Sequence, residues 1–150
     1  MKVQRQVVSV AGAFALLLIA TIAFVPAVTL AQDAQVAPEI TVAQLAGSWQ
    51  IAVVGNTGCG QTSLLFTGTL DAGGQSTGTL IGNSGCGPSN NTQTFTISSL
   101  NANRSGTAGL SCGVDCGWNF TIQVSLNKQV INLVDITDAN NYLAGTAVKQ

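Results

Sequence analysis

The sequence predicts an all-β fold, an antiparallel up-and-down eight-stranded barrel with a short N-terminal helical turn. Three observations lead to it. From Trp49 onward apolar and polar residues alternate with a period of two, short polar loops separate the alternating segments, and no helical periodicity intervenes. An open two-sheet sandwich is the alternative arrangement, but closure into a barrel removes the exposed strand edges.

The composition indicates a folded chain with very little charge. Charged residues make up 7% of the 150 residues and hydrophobic residues 46%, so intrinsic disorder is not expected. The absence of histidine excludes Ser-His-Asp and Cys-His catalysis and every metal site built on imidazole. After residue 31, three cations against six acids leave a net charge of −3, so nucleic acid is not an expected partner.

Residues 1–31 have the features of a secretory signal peptide. Lys2 and Arg5 precede an apolar run over residues 7–25, and the small residues Thr29 and Ala31 fit a cleavage site. We expect a mature start at Gln32, a secreted or periplasmic location, and no membrane span once the signal is removed. An uncleaved anchor is the alternative, because the apolar run is long enough to cross a bilayer.

Residues 32–44 are predicted to form a flexible lead-in and the start of a helical turn, followed by a β-barrel domain over residues 45–150. Thr41 and Gln44 have the spacing of a capping box, and Gly47 can take the left-handed position after the turn. The turn therefore ends where Trp49 begins the first strand.

The alternation pattern predicts eight strands. The clearest is residues 118–126, in which five apolar residues alternate with four polar ones. The predicted strands are residues 48–54, 61–70, 76–82, 92–99, 105–112, 118–126, 129–136 and 141–148.

Glycine recurs inside four of these strands, at Gly68, Gly78, Gly106 and Gly145. Glycine weakens a strand unless a sharp bend or a close approach of another backbone requires it. The repeat therefore supports a closed barrel, with a merely Gly- and Thr-rich composition as the alternative.

The four cysteines fall in loops that an up-and-down meander places at one end. An even number of cysteines in an exported chain indicates disulfides, with three possible pairings. Two matching Asn-Thr/Ser-Gly-Cys-Gly loops favour Cys59–Cys86, which leaves Cys112–Cys116. A four-thiolate zinc site is the alternative, but the spacing lacks paired C-x₂-C knuckles. We expect no metal and no cofactor.

The segment Leu45-Ala46-Gly47-Ser48-Trp49 resembles the calycin group, which includes lipocalins and avidins. In lipocalins a helical turn precedes a G-x-W motif, and the Trp packs under the closed end of the barrel, often against an Arg near the last strand. The resemblance implies a barrel floor formed by Gly47, Trp49 and Lys149. The chain is also similar to small bacterial inhibitors of secreted metalloproteases, in which an N-terminal trunk, here residues 32–44, acts on the enzyme.

The lipocalin resemblance implies that the cysteine-bearing rim is an open mouth above an interior ligand site. Such a site would accept a small apolar ligand, with a tyrosine hydroxyl as its polar group. The alternative is that the same side chains only fill the barrel. The expected lining residues are Leu64, Leu110, Trp118, Phe120, Val134 and Tyr142.

Without histidine, an enzyme would have to use carboxylates. Asp115, Asp135 and Asp138 fall near the cysteine-bearing rim, where a pair could act on a glycoside or the set could bind calcium. The alternative, that they are loop acids, fits the sparse spacing better. We therefore predict no catalytic residues and a non-enzymatic protein that binds a small molecule or a protein at its disulfide-bearing rim. An inhibitor of a secreted protease and a structural envelope or surface protein are the alternatives.

The intact, non-reduced mass of protein exported by its own kind of host tests the predicted processing. We expect a chain that starts at Gln32 and is four hydrogens lighter than the reduced form, because two disulfides remove four thiol protons. A mass that retains residues 1–31 would contradict cleavage.

Overall fold

A computed structural model describes residues 39–113 and 116–150, without the side chains of residues 112 and 113. The predicted signal peptide and most of the lead-in lie outside the described residues. In the described part, no helix has the length and apolar character needed to cross a membrane.

Eight antiparallel strands follow a 3₁₀ turn at Val42–Leu45 and close into a barrel in chain order. Pairing of the last strand with the first completes the closure, which confirms the predicted fold class and excludes the sandwich. The strands are β1 Gly47–Thr57, β2 Gly60–Leu70, β3 Gln75–Ser84, β4 Gly87–Leu100, β5 Ser105–Gly113, β6 Cys116–Val124, β7 Val130–Asp135 and β8 Tyr142–Lys149.

The β1–β2 and β3–β4 hairpins extend further than the sequence predicts. Their ladders continue to the pairs Thr57↔Gly60 and Ser84↔Gly87, so each turn contains only two residues. Gly60 and Gly87 have φ angles of 78° and 106°, a region that side chains other than glycine rarely adopt. The polar Gly- and Asn-rich tips, which resemble loops in sequence, therefore form paired strand with a cysteine at each turn.

The barrel interior is a continuous apolar core. Alternate residues of every strand point inward, and the rings of Phe66 and Phe95 lie 6.2 Å apart between their centroids. Leu45 and Trp49 pack into the same core at the floor end. The buried apolar residues are Ile40, Leu45, Trp49, Ile51, Val53, Leu64, Phe66, Leu70, Leu80, Phe95, Ile97, Ala108, Leu110, Phe120, Ile122, Val124, Ile131, Leu133, Leu143 and Ala147.

Three of the four strand glycines lie where a neighbouring backbone approaches too closely for a side chain. A Cβ at Gly78, Gly106 or Gly145 would overlap the carbonyl oxygen of Thr67, Ser99 or Ala52, respectively. These glycines permit the tight coiling of a small closed sheet, which favours the structural explanation over a merely Gly-rich composition.

The floor end of the barrel is built around Trp49. The Thr41 amide donates to Oε1 of Gln44 at 3.2 Å, and the indole Nε1 of Trp49 donates to the Leu45 carbonyl at 2.7 Å. Gly47 has a φ of 134°, and Lys149 Nζ lies 5.8 Å from the Trp49 ring centroid. The indole of Trp49 therefore links the 3₁₀ turn to the first strand, and the ammonium group of Lys149 lies over the same indole.

The two ends of the barrel differ in charge. The turns after β2, β4 and β6 lie at the floor end, where Arg104 and Lys128 occupy turn positions with positive φ and Lys149 ends β8. Every cation among the described residues is at this end. The opposite end carries the cysteine-bearing turns and has no cation in its described part.

Replacement of Gly145 by alanine tests the close strand approach. Gly145→Ala is expected to lower the free energy of unfolding by about 1–3 kcal/mol or more, because the added methyl must displace the Ala52 backbone. Gly58→Ala is the matched control, since a Cβ there meets nothing within 4 Å. Guanidinium denaturation of both variants measures the difference, and equal midpoints would contradict the close approach.

Candidate functional site

A disulfide joins the two long hairpins at the cysteine-bearing end. Cys59 and Cys86 are bonded with a Cα–Cα distance of 5.3 Å and lie 27 residues apart in sequence. The predicted pairing of these two residues is confirmed. We call the turns that contain residues 58–59 and 85–86, together with the 136–141 loop, the stapled rim.

The second predicted disulfide is only partly described. Cys116 is disulfide-bonded, and no described cysteine is free. The side chain of Cys112 lies outside the described residues, so the pairing Cys112–Cys116 stays a prediction. Oxidation of Cys59 and Cys86 removes two of the four thiolates that a zinc site would need.

The 136–141 loop is ordered by an aspartate that accepts three hydrogen bonds. Asp138 Oδ1 accepts from the amides of Asn140 and Asn141 at 2.7 and 2.9 Å, and its Oδ2 accepts from Asn141 Nδ2 at 2.6 Å. The Asn140 amide, the Asn141 side chain and the Asn141 amide hold the pKa of Asp138 below its ordinary value of 3.8. The stabilisation is therefore present above pH 3.8 and lost as the pH falls through the lowered pKa.

Asn141 also ties this loop to the first hairpin, since its Oδ1 accepts a hydrogen bond from the Gly58 amide at 3.1 Å. The hairpin turn is braced from within, because Thr57 Oγ1 accepts from the Cys59 amide at 3.2 Å and lies 2.9 Å from Thr62 Oγ1. One disulfide and one hydrogen bond thus connect three rim segments that are far apart in sequence.

The two described carboxylates of the rim, Asp135 and Asp138, each accept hydrogen bonds from their own loop. Asp135 is buried, and its Oδ1 accepts from both the amide and the hydroxyl of Thr137, at 2.8 and 2.5 Å. Its Oδ2 has no hydrogen-bond partner among the described residues. Asp115 lies outside the described residues. Within the described part, no group of three or more Cys, Asp or Glu side chains is placed to hold a metal ion.

The side chains expected to line an interior ligand site do not form one surface. Leu64, Leu110 and Phe120 are buried in the core, and Trp118 packs against it partly buried. These four residues belong to the apolar filling of the barrel.

The expectation that Val134 and Tyr142 face the interior is wrong, because their side chains are 56% and 64% exposed on the outer face. In β7 apolar residues occupy both faces, so the alternation of the sequence could not decide which face is inside. The inward face of β7 also carries the polar Asp135. In β8 the inward residue is Leu143, which pairs with Gly55, and Tyr142 therefore points outward.

The outward-facing Tyr142 belongs to a groove of about 500 Å³ directly below the stapled rim. The groove crosses β8, β1, β2 and β3. Register places Tyr142 beside Asn56 and Asn56 beside Gln61. We call it the rim groove, and its lining consists of Val54, Gly55, Asn56, Gln61, Thr62, Ser63, Asn83, Ser84 and Tyr142.

The described residues that line the rim groove carry no charge, and most of their side chains are polar. No hydrogen bond between described residues engages the side-chain amides of Asn56, Gln61 or Asn83, whereas the Thr62 hydroxyl donates to the Gly60 carbonyl at 3.0 Å. A primary amide offers two donors and an acceptor, so these side chains can bind a ligand without giving up internal bonds. Apart from Tyr142, the sequence does not single out these residues, because most of them are ordinary polar strand positions that only the register brings together.

A second groove of about 490 Å³ runs across β4, β5 and β6. Thr94, Thr96 and Asn119 line it together with the partly buried Trp118. We assign no role to it.

Comparison with known proteins adds no family: no protein-family model, no curated protein and no solved structure matches this chain at a significant level. The eight-stranded closed barrel and its rim groove are therefore interpreted from their own geometry.

Removal of the disulfide tests how much it stabilises the fold. A loop of 27 residues corresponds to a stabilisation of about 3.5 kcal/mol from the restricted unfolded chain. The Cys59→Ser/Cys86→Ser variant is therefore expected to unfold at a clearly lower denaturant concentration. Ser63→Ala, an exposed position on the same hairpin, is the control, and an unchanged midpoint in the double variant would contradict the stabilisation.

Proposed function

We propose that this chain is an exported, non-enzymatic binding protein that holds its ligand in the rim groove. One observation carries the proposal, namely a concave and uncharged surface with three unengaged amides and an exposed tyrosine beside a disulfide. Crosslinked walls reduce the conformational entropy that a ligand must offset on binding.

The outer groove supports binding better than the interior does. The six side chains first expected to line an internal site are either packed into the core or exposed outside it. A ligand inside the barrel would have to displace close-packed residues such as Phe120, which is fully buried. The rim groove needs no such displacement.

Export is supported by the signal-like residues 1–31 and by the oxidised cysteines. Disulfides persist in secreted and periplasmic proteins and are rare in the cytosol. We place the mature protein outside the cytoplasm on these two grounds.

A non-enzymatic role is supported by the hydrogen bonds that the two described rim carboxylates accept within their own loop. Asp138 accepts three hydrogen bonds within its own loop, and Asp135 binds Thr137 through one oxygen. The chain has no histidine to act as a general base near neutral pH.

We also propose a calycin-like relationship on the basis of the barrel floor. A short helical turn, a glycine with positive φ and a buried Trp49 covered by Lys149 reproduce the arrangement that the lipocalin resemblance implies. Lysine in place of arginine retains the charge but lacks the planar group that stacks best on an indole.

Native mass spectrometry of protein recovered from its own kind of host tests the binding site. We expect a bound molecule that is released on denaturation, and a fall of about tenfold in its occupancy in Tyr142→Ala, because exposed aromatic anchors dominate binding surfaces. Val134→Ala is the matched control, since it truncates an exposed apolar residue outside the groove lining.

Two results would contradict the proposal. One is a native protein that carries no bound molecule. The other is equal occupancy in Tyr142→Ala and Val134→Ala, which would place the ligand elsewhere. Retention in the control with loss in Tyr142→Ala supports the rim groove.

A further inference from the structure

The chemistry of the rim groove indicates what class of ligand it takes. We infer that the ligand is a neutral carbohydrate whose ring packs on Tyr142 while its hydroxyls bind the groove amides. This inference rests on the proposed function and adds the chemical class of the ligand to it.

The amides of the groove match vicinal hydroxyl groups. Each sugar hydroxyl is both a donor and an acceptor, and each primary amide presents a donor and an acceptor side by side. Asn56 on β1 pairs with Gln61 on β2, and Asn83 on β3 pairs with Ser63 on β2. The three amides therefore offer paired bonding groups along a path that crosses three strands.

Tyr142 supplies a flat apolar surface at one side of that path. Its side chain is 64% exposed, and Val54, also 64% exposed, lies on the same outer face of the neighbouring strand. Pyranose rings carry an apolar face of C–H groups, which can pack on an aromatic ring while the equatorial hydroxyls reach the amides. Tyrosine suits this role because it loses little conformational entropy when it is fixed.

Charged ligands fit the groove poorly. None of its described lining residues carries a charge, and the described cations lie at the opposite, floor end of the barrel. Nucleic acids and other polyanions need several cations to neutralise their phosphate or sulfate groups. An acidic ligand would lose its hydration here without gaining a counter-charge.

Peptides and lipids fit less well than sugars do. A peptide that binds as an added strand needs a free sheet edge, and both edges of β1 and of β2 are already paired. A lipid chain would cover the unengaged amides of Asn56, Gln61 and Asn83 without bonding them, which is unfavourable. The groove volume of about 500 Å³ is that of an ordinary small-molecule site and suits a short saccharide.

The test is a titration of the ¹⁵N-labelled, disulfide-intact protein with maltohexaose, cellohexaose and chitohexaose, followed by NMR. We expect saturable shifts of the side-chain amide signals of Asn56, Gln61 and Asn83 with at least one of the three sugars. The hexasaccharide of hyaluronan is the charged comparison and is expected to bind more weakly.

Variants separate ring packing from other effects. Tyr142→Ala is expected to weaken sugar binding about tenfold, whereas Tyr142→Phe keeps the ring face and is expected to stay within about threefold. Val134→Ala is the control and should bind as the unchanged protein does, with unfolding midpoints showing that all variants are folded.

The outcomes distinguish this inference from the proposed function. Absence of saturable shifts with all three neutral sugars, or stronger binding of hyaluronan, would overturn the carbohydrate assignment. The native protein can still carry a non-sugar molecule that is lost in Tyr142→Ala. In that case the proposed function stands, and only the carbohydrate assignment fails. Sugar-induced shifts confined to residues outside the groove would also overturn the carbohydrate assignment, and a native protein without any bound molecule would overturn the proposed function as well.

Discussion

Pairing of β1 with β8 over the register Trp49↔Lys149 to Asn56↔Tyr142 constrains the rest of this molecule. Once the sheet closes, every strand has an inner and an outer face, and no edge of β1 or β8 is free for another chain. The interior of an eight-stranded barrel can be filled by side chains or can hold one small ligand. Here apolar side chains fill most of it, and most of the Thr, Ser, Asn and Gln side chains lie on the outer surface.

The two ends of the closed barrel differ in what covers them. At the floor, a 3₁₀ turn and Trp49 cover the core, and the described cations gather there. At the other end, the β1–β2 and β3–β4 hairpins continue to two-residue turns, where a disulfide can join them. The rim groove lies below that disulfide, where Tyr142 stands beside the first hairpin. Rigidity at this end therefore comes from covalent and hydrogen-bonded links between turns.

The fold was predictable from sequence because strand periodicity and short polar connections are local signals. Residues 118–126 alternate without exception, and the matching cysteine loops indicated the Cys59–Cys86 pair. Hairpin ends were placed several residues short, because glycine- and asparagine-rich tips resemble loops whether or not they pair. The strand pairing in the folded chain shows how far the ladders run, to Thr57↔Gly60 and Ser84↔Gly87.

The candidate site was not predictable in the same way. In β7 apolar residues fall on both faces, so the face of Val134 depended on register with β6 and β8 and not on its own neighbours. The rim groove combines outward residues of four strands, and no single segment carries its signature. The signal that the sequence did offer is a set of uncharged amide residues, Asn56, Gln61 and Asn83, that fall near strand ends at the same rim as the aromatic Tyr142.

We propose that the ligand lies on the outer face of the barrel and not inside it. Intermolecular nuclear Overhauser effects between the protein and any molecule recovered with it from its host measure this directly. The account predicts contacts from the ligand to the Tyr142 ring and the Val54 methyl groups, both of which are exposed. Contacts to Phe120 and Leu64, which are buried in the core, would contradict it.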